Sequence, residues 1–145
     1  MTYATDTFNG DGSTVEFTLT FDYIQRNHVT VSRIDRATQT PTVLTVIASG
    51  TPTGDEYIWD TDRRVRVGTA PDTTEQLLIA RDTPEDQQLV QWQDGSYIVA
   101  QDLNTSDLQW LYGLQELEDA FDSLSTSAIQ YFGAIDLTAD LPPST

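Results

Sequence analysis

The hydrophobic pattern of the chain changes its period once, within the segment from Asp94 to Asn104. Before this segment, apolar and polar residues alternate in short runs, and a period of two is typical of half-buried strands. After it, apolar residues recur every three or four positions, which is typical of a helix. The change therefore predicts an α+β chain in which a strand-rich half precedes a helical half.

The strand-rich half, residues 1–101, opens with a clear alternation. Val15, Phe17, Leu19 and Phe21 alternate with polar residues after a glycine-rich turn, and this pattern predicts a half-buried strand. Runs rich in β-branched or aromatic residues predict further strands. These runs lie at 29–34, 43–47, 56–60, 64–67 and 77–81, with a last short one at 90–92. Many short strands at close spacing predict an antiparallel β-sandwich or a barrel-like domain.

The helical half, residues 102–135, carries a narrow apolar row that we call the seam. Its members are first seven and then alternately four and three positions apart, which is the heptad spacing of a coiled coil. The seam consists of Leu103, Trp110, Leu114, Leu117, Phe121, Leu124, Ala128, Tyr131 and Ile135. Residues 136–145 contain a Pro-Pro pair that cannot continue a helix, and they are predicted to form an extended tail.

The seam predicts self-association of the helix. The interface is expected at Trp110, Leu114, Leu117, Phe121, Leu124 and Ala128. The aromatic ring of Phe121 fits a three-stranded core better than the narrower core of a dimer, and this favours a homotrimer. A helix packed against its own β-domain would explain the same leucines, so this alternative stays open.

The joint between the two halves carries turn and cap signals. Asp-Gly favours a tight turn, and an Asp or Asn ahead of a helix can accept its free N–H groups. A second Asp-Gly-Ser lies near the N-terminus. The candidate turn and helix-start residues are Asp11, Gly12, Ser13, Asp94, Gly95, Ser96, Asp102, Leu103 and Asn104.

The charge of the chain restricts its partners. A net charge of −16, with seven arginines and no lysine, argues against a nucleic-acid partner because phosphate binding depends on basic side chains. The N-terminus lacks the basic start and apolar run of a secretory signal, and no apolar stretch reaches the ~20 residues that cross a bilayer. We therefore expect a protein made in a cytoplasm, without a membrane partner.

Few residues suit catalysis or cofactor binding. His28 is the single histidine, and the chain has no cysteine to serve as nucleophile or thiolate ligand. Asp11, Asp94 and Asp102 could offer oxygen ligands to calcium, but no twelve-residue calcium loop surrounds them, and turn formation is favoured. We expect no metal, no cofactor and no enzyme activity.

Several short motifs within residues 8–124 occur together in one known family. They are Asp11-Gly12-Ser13 with Phe17, Phe21 and Tyr23; Ile79-Ala80-Arg81-Asp82-Thr83; Asp94-Gly95-Ser96 with Asp102-Leu103-Asn104; and the polar helix residues Gln109, Glu116 and Glu118. Together they resemble the N-terminal anchoring domain of tail fibre proteins from short-tailed phages of the T-odd coliphage type.

The resemblance implies a homotrimeric structural protein of the virion. In that family the domain docks on the side of the phage tail tube, so the expected partners are the adaptor and nozzle proteins of the tube. The sequence contains no shaft or receptor-binding tip before Thr145, and it is more acidic than we expect of the family. We therefore expect a short anchor or adaptor that carries a separate distal fibre or tailspike protein.

One alternative from another functional class remains. Tyr57, Trp59 and Trp92, with nearby carboxylates, could form the site of a carbohydrate-binding or hydrolytic accessory domain of a phage tail. The location of the tryptophans separates the two functions, since an open groove lined by tryptophan and paired acids favours the accessory domain and burial favours the anchor.

Overall fold

The computed structural model describes residues 2–95 and 97–133, with side chains as far as Ala128. The described residues form an α+β fold, in which two β-sheets are followed by one long helix. The strands are β1 (Thr5–Asn9), β2 (Glu16–Thr18), β3 (Val29–Asp35), β4 (Pro41–Val43), β5 (Thr45–Val46), β6 (Glu56–Thr61), β7 (Arg64–Val67) and β8 (Glu75–Arg81), and the helix is α1 (Ala100–Gly133). A single 3₁₀ turn at Arg26–His28 leads into β3.

The strands pair in two four-stranded sheets. The first sheet has the order β1-β8-β3-β4 and is antiparallel throughout. The second has the order β2-β7-β6-β5, in which only β5 and β6 run parallel among the described strands. The chain crosses between the sheets at Leu44, which is buried between β4 and β5 and donates its N–H to the carbonyl of Val31.

Both sheets contribute to one hydrophobic core. Alternate residues of β7 and β8 are buried, as the period of two requires. The core consists of Phe17, Leu19, Phe21, Val29, Val31, Leu44, Tyr57, Val65, Val67, Leu77 and Ile79. The helix contributes none of these residues, so the β-domain has a core of its own.

Most predicted strands are present, with four differences. The strand predicted at 43–47 is divided at Leu44, so that Val43 ends β4 in the first sheet and Thr45–Val46 form β5 in the second. β1 was not predicted, because its sequence Thr-Asp-Thr-Phe-Asn has no apolar alternation. The alternation from Val15 to Phe21 continues into the core, but only Glu16–Thr18 pairs as a strand. The strand predicted at 90–92 is wrong, since these residues form a bend and irregular backbone.

Helix α1 begins earlier than predicted. The carbonyl of Val99 accepts hydrogen bonds from the N–H groups of Asp102 and Leu103, so the helix starts at Ala100. Asp102, Leu103 and Asn104 therefore lie in the first turn, where an Asp also interacts favourably with the helix dipole. The 34 residues of α1 span about 51 Å at ~1.5 Å per residue. The predicted helix end at Ile135 and the tail at 136–145 lie outside the described residues.

Within the described residues, no helix combines the length and the hydropathy that a membrane crossing requires.

Candidate assembly interface on helix α1

Helix α1 lies on its own β-domain through polar side chains. An amphipathic helix ordinarily buries its apolar stripe against the domain core. Here the residues that face the β-domain are Gln109, Tyr112, Glu116 and Asp119, and their spacing of three, four and three places them on one side of the helix. The docking therefore depends on hydrogen bonds and one ion pair rather than on the seam.

Arg81, the last residue of β8, lies at the centre of this contact. Its guanidinium is buried and pairs with Glu116, with 2.7 Å between Nε and Oε1. It also donates to the side-chain oxygen of Gln115 at 2.9 Å and to the carbonyl of Asp22 at 2.6 Å. The guanidinium carbon lies 3.8 Å from the ring centroid of Tyr112, which adds a cation–π interaction. A buried arginine with this many partners fixes the strand end relative to the helix.

Thr83 completes the hydrogen bonding of Glu116. Its backbone N–H donates to Oε2 at 3.0 Å, and its hydroxyl donates to Oε1 at 2.7 Å. The Glu116 carboxylate thus accepts from Arg81 and from both donors of Thr83. We call Arg81, Thr83 and Glu116 the clasp.

Two further contacts hold the helix on either side of the clasp. Gln109 donates to the carbonyls of Pro84 and Gln87 at 2.6 Å and 2.7 Å, and it accepts from the N–H of Leu89 at 3.0 Å. Asp119 accepts from the backbone N–H groups of Tyr3 and Ala4, each at 2.8 Å from Oδ2. The helix is therefore attached to the N-terminus, to the end of β8 and to the 84–88 segment.

The seam lies on the opposite side of α1 and is open to solvent. Trp110 is 75% exposed and Leu114 is 62% exposed, and the exposed fractions of the next three seam residues lie between these values. These are Leu117, Phe121 and Leu124, and Ala128 beyond them is exposed as well. A contiguous row of exposed large apolar side chains is characteristic of an interaction surface.

The joint before the helix contains the expected turn. Asp94 and Gly95 form a turn, and Gly95 has a φ of +84°, which favours glycine. Ser96 lies outside the described residues. Tyr97, Ile98 and Val99 follow with exposed side chains, so the apolar surface extends to the helix start.

The N-terminal Asp-Gly-Ser also forms a turn. Asp11 Oδ1 accepts from the N–H groups of Ser13 and Thr14 at 2.8 Å and 2.7 Å, and Oδ2 accepts from the Thr14 hydroxyl at 2.6 Å. These hydrogen bonds, led by that of Thr14, lower the pKa of the Asp11 carboxyl. Gly12 has a φ of +72°. The carboxylate is thus used within the turn, and the described residues contain no group of three side chains suited to a metal ion.

The aromatic residues proposed for sugar binding come from separate elements, and none of them lines the open cleft at residues 22–26 and 62–63. Trp59 is half-buried against the core and contacts Tyr23 and Tyr57, with ring centroids 5.3 Å and 6.5 Å apart. The guanidinium of Arg26 lies over its ring, 5.3 Å from the centroid. Trp92 lies in the segment before the helix, so β6 and this segment hold the two tryptophans separately.

The carboxylates near Trp59 are paired with arginines. Asp60 forms an ion pair with Arg66, which lowers the pKa of its carboxyl. Asp62 pairs with Arg26 at 2.6 Å and borders an open cleft of about 410 Å³. Hydrolysis by two carboxylates requires one acid and one base that are free to exchange protons. This arrangement does not supply such a pair.

The sequence motifs singled out part of the helix contact. Arg81, Thr83, Gln109 and Glu116 belong to motifs quoted for the resemblance, and the structure brings them together although they come from β8, a loop and the helix. Glu118 belonged to the same set but is exposed. Tyr112, Gln115 and Asp119 were not singled out. Their spacing from Gln109 and Glu116 would have placed them on the same helix face.

Comparisons with known proteins found a matching family model and a relative. A family model described as "Phage T7 tail fibre protein, N-terminal domain" matches residues 1–136. A protein named "Depolymerase, capsule KL64-specific" from Klebsiella phage P510 is 31% identical over 120 residues, which cover 82% of this chain. The same match covers 11% of that protein, so the chain spans about a ninth of the length of this relative.

Proposed function

The chain belongs to the family of the N-terminal domain of phage T7 tail fibre proteins and is a structural component of the virion tail; from this premise we propose that it anchors fibres to the tail as a homotrimer. The β-domain contacts the tail tube, with its adaptor and nozzle proteins as partners. Helix α1 joins the three copies. The domain itself performs no catalysis.

The observation that carries this proposal is the orientation of α1. The helix meets its own β-domain through Gln109, Glu116 and Asp119, and the seam remains exposed on the far side. Five large apolar side chains exposed in one row are unfavourable in water, at ~25 cal/mol for each Å² of apolar surface. Pairing of the seam with copies of itself buries this surface. The alternative in which the seam packs on its own domain does not match the orientation of α1.

The size of the seam residues supports three copies rather than two. Trp110 and Phe121 are aromatic, and a three-stranded core accommodates wider side chains than a two-stranded core. A threefold axis also gives the helices a closed ring of identical contacts. The three β-domains then lie outside the helices, where they are accessible to the tail.

The relative suggests how such an anchor is used. Its name identifies a capsule-specific depolymerase, and the shared region is 11% of its length. We propose that a domain of this kind serves as a common base for different distal parts, which reside in the same polypeptide or in a separate fibre or tailspike protein. Receptor or capsule specificity then belongs to the distal part.

A mass measurement and a seam variant together test the proposal. Light scattering of the wild-type protein should give a mass near three chains, and the protein should bind isolated tails that lack fibres. The double variant Leu117→Asp, Phe121→Asp buries charge in the seam, which costs several kcal/mol per unpaired ion, and should give monomers.

The matched control adds the same charge to the side of the helix away from the seam, beyond its contacts with the β-domain. Ser123→Asp, Thr126→Asp changes two exposed positions away from the seam and should leave the mass and the tail binding unchanged. A monomeric wild-type protein, or one that fails to bind tails, would contradict the proposal, as would equal loss of mass in both double variants.

A further inference from the structure

A groove lies beside the seam, between α1 and the 84–88 segment. Its volume is about 500 Å³, and its helix side is lined by six residues, which are Ser106, Gln109, Trp110, Gly113, Leu114 and Leu117. Three of these residues belong to the seam, so the groove and the seam form one continuous apolar surface. The other wall is the 84–88 segment, which Gln109 holds in place through two carbonyls.

Four of the residues that line the helix side of the groove have the spacing of a coiled-coil hole. When the seam positions are lettered a and d, Leu114 is an a residue, Trp110 and Leu117 are d residues, and Gly113 is the g residue before Leu114. In coiled coils each seam side chain, or knob, inserts into a hole formed by four residues of the facing helix. In a parallel pair, the hole for an a knob is formed by d, g, a and the next d. The groove presents these four positions.

Gly113 has no evident role within one copy. A glycine inside a helix costs roughly 1 kcal/mol relative to alanine. A Cβ atom at Gly113 would meet only the flexible end of Glu85, at 3.7 Å, which is an ordinary contact. The fold of a single copy therefore does not require a glycine at this position, and the space beside Gly113 is open.

We propose that this groove is the socket for Leu114 of a second copy in a parallel, in-register trimer. The proposal rests on the proposed function, because it names the partner surface of the same seam. In this register, Leu111 of the second copy lies at an e position and faces the 84–88 segment. Leu111 lies off the seam and is exposed in the single copy. Contact with the 84–88 segment of another copy would bury its side chain.

The socket gives the β-domain a part in the trimer contact. The clasp fixes each β-domain to its own helix, and in the socket each 84–88 segment also touches the next helix. The segment is fixed to its own helix by Gln109, so the contact transmits the orientation of one copy to the next. The three tail-binding surfaces are therefore held in a defined arrangement.

Filling the groove tests the socket. Gly113→Leu places a side chain in the groove, and overpacking of a fitted contact should raise the trimer dissociation constant about tenfold or more. The matched control is Ala120→Leu, at the next g position, where the residue is exposed and lies outside the groove lining. Analytical ultracentrifugation gives both dissociation constants, and circular dichroism checks that each variant is folded.

Cysteine cross-linking provides a measurement that does not depend on stability. The chain contains no cysteine, so Glu85→Cys and Leu111→Cys can be introduced singly, in separate copies that are expressed together. A disulfide requires its two Cα atoms to lie ~4.4–6.8 Å apart. With an added oxidant, the socket therefore predicts a disulfide between the two copies. The control pairs Glu85→Cys with Ser123→Cys, which lies on the side of the helix away from the seam, and this pair should give no disulfide.

The outcomes are distinct. Weakening by Gly113→Leu alone, together with the cross-link, supports the socket. Equal dissociation constants for wild type and both leucine variants, or equal weakening in both, would overturn it while leaving the trimer intact. A monomeric wild-type protein would overturn the proposed function, and the socket with it.

Discussion

Arg81 shows most directly how a single side chain holds the two halves of this molecule together. Only 1% of its side chain is exposed, and its charge is balanced by Glu116. Lysine could not replace it, because an ammonium group lacks the planar set of donors that reaches Glu116, Gln115 and Asp22 at once. The guanidinium group of Arg81 is therefore the central contact among those that position the helix on the sheet.

Removing the charge of Glu116 should release the helix. Glu116→Gln keeps the shape of the side chain but leaves Arg81 as a buried, uncompensated charge, which should lower the free energy of unfolding by about 3 kcal/mol. Glu118→Gln removes the same charge from an exposed position two residues along the helix and is the control. Thermal melts followed by circular dichroism compare the two, and equal melting temperatures would show that the clasp contributes little.

His28 makes the stability of the β-domain depend on pH. Burial lowers the pKa of its imidazole, and this outweighs the opposite effect of Glu116 and Asp82. The unfolded chain then binds a proton more readily than the folded one, so stability is complete above the unfolded pKa of about 6.5 and falls as the pH decreases below it. The melting temperature should drop between about pH 7.5 and pH 5.5. In His28→Gln this drop should be smaller, and an identical pH profile would assign the dependence to other groups.

At the scale of elements, the turn between the β-domain and the helix requires a positive φ at Gly95. Gly95 has a φ of +84° and no atom within 4 Å of a Cβ position, so a substitution there tests strain alone. Gly95→Val should cost about 1–3 kcal/mol and reduce incorporation into virions. Gly95→Asn, which tolerates this conformation, should behave like wild type. Unchanged melting of the valine variant would mean that the turn adapts at no cost.

The elements differ in how far the sequence could predict them. β7 was predicted to the residue and β3, β6 and β8 within two residues, because they are rich in β-branched, aromatic or other apolar residues that suit a half-buried sheet. β1 could not be predicted, since it pairs with β8 through its backbone and carries little apolar periodicity. The heptad spacing of the seam was predicted from the sequence. The orientation of the seam away from the β-domain could not be predicted, because the clasp joins residues 35 positions apart and polar pairs leave no period in the sequence.

At the scale of the whole molecule, the two sides of α1 have different tasks. The polar side contacts the β-domain, and the apolar side is exposed. Under the proposed function, the axis of assembly and the tail-binding domain therefore lie on opposite sides of one helix. A helix that buried its seam on its own domain would have no surface left to set the symmetry.

Because these tasks lie on different surfaces, they should be separable. The double variant Leu117→Asp, Phe121→Asp should reduce tail binding mainly by loss of avidity, since each linked copy raises the effective concentration of the next. The affinity for tails should fall by a factor of about 10²–10⁴. Fusing a foreign parallel trimerisation motif after the helix should restore binding to the double variant. The same motif fused to the wild-type protein is the control, because it should change the affinity little. If the fused double variant stays unable to bind while circular dichroism shows folded sheets, the seam itself contacts the tail, and the division of tasks between β-domain and helix is wrong.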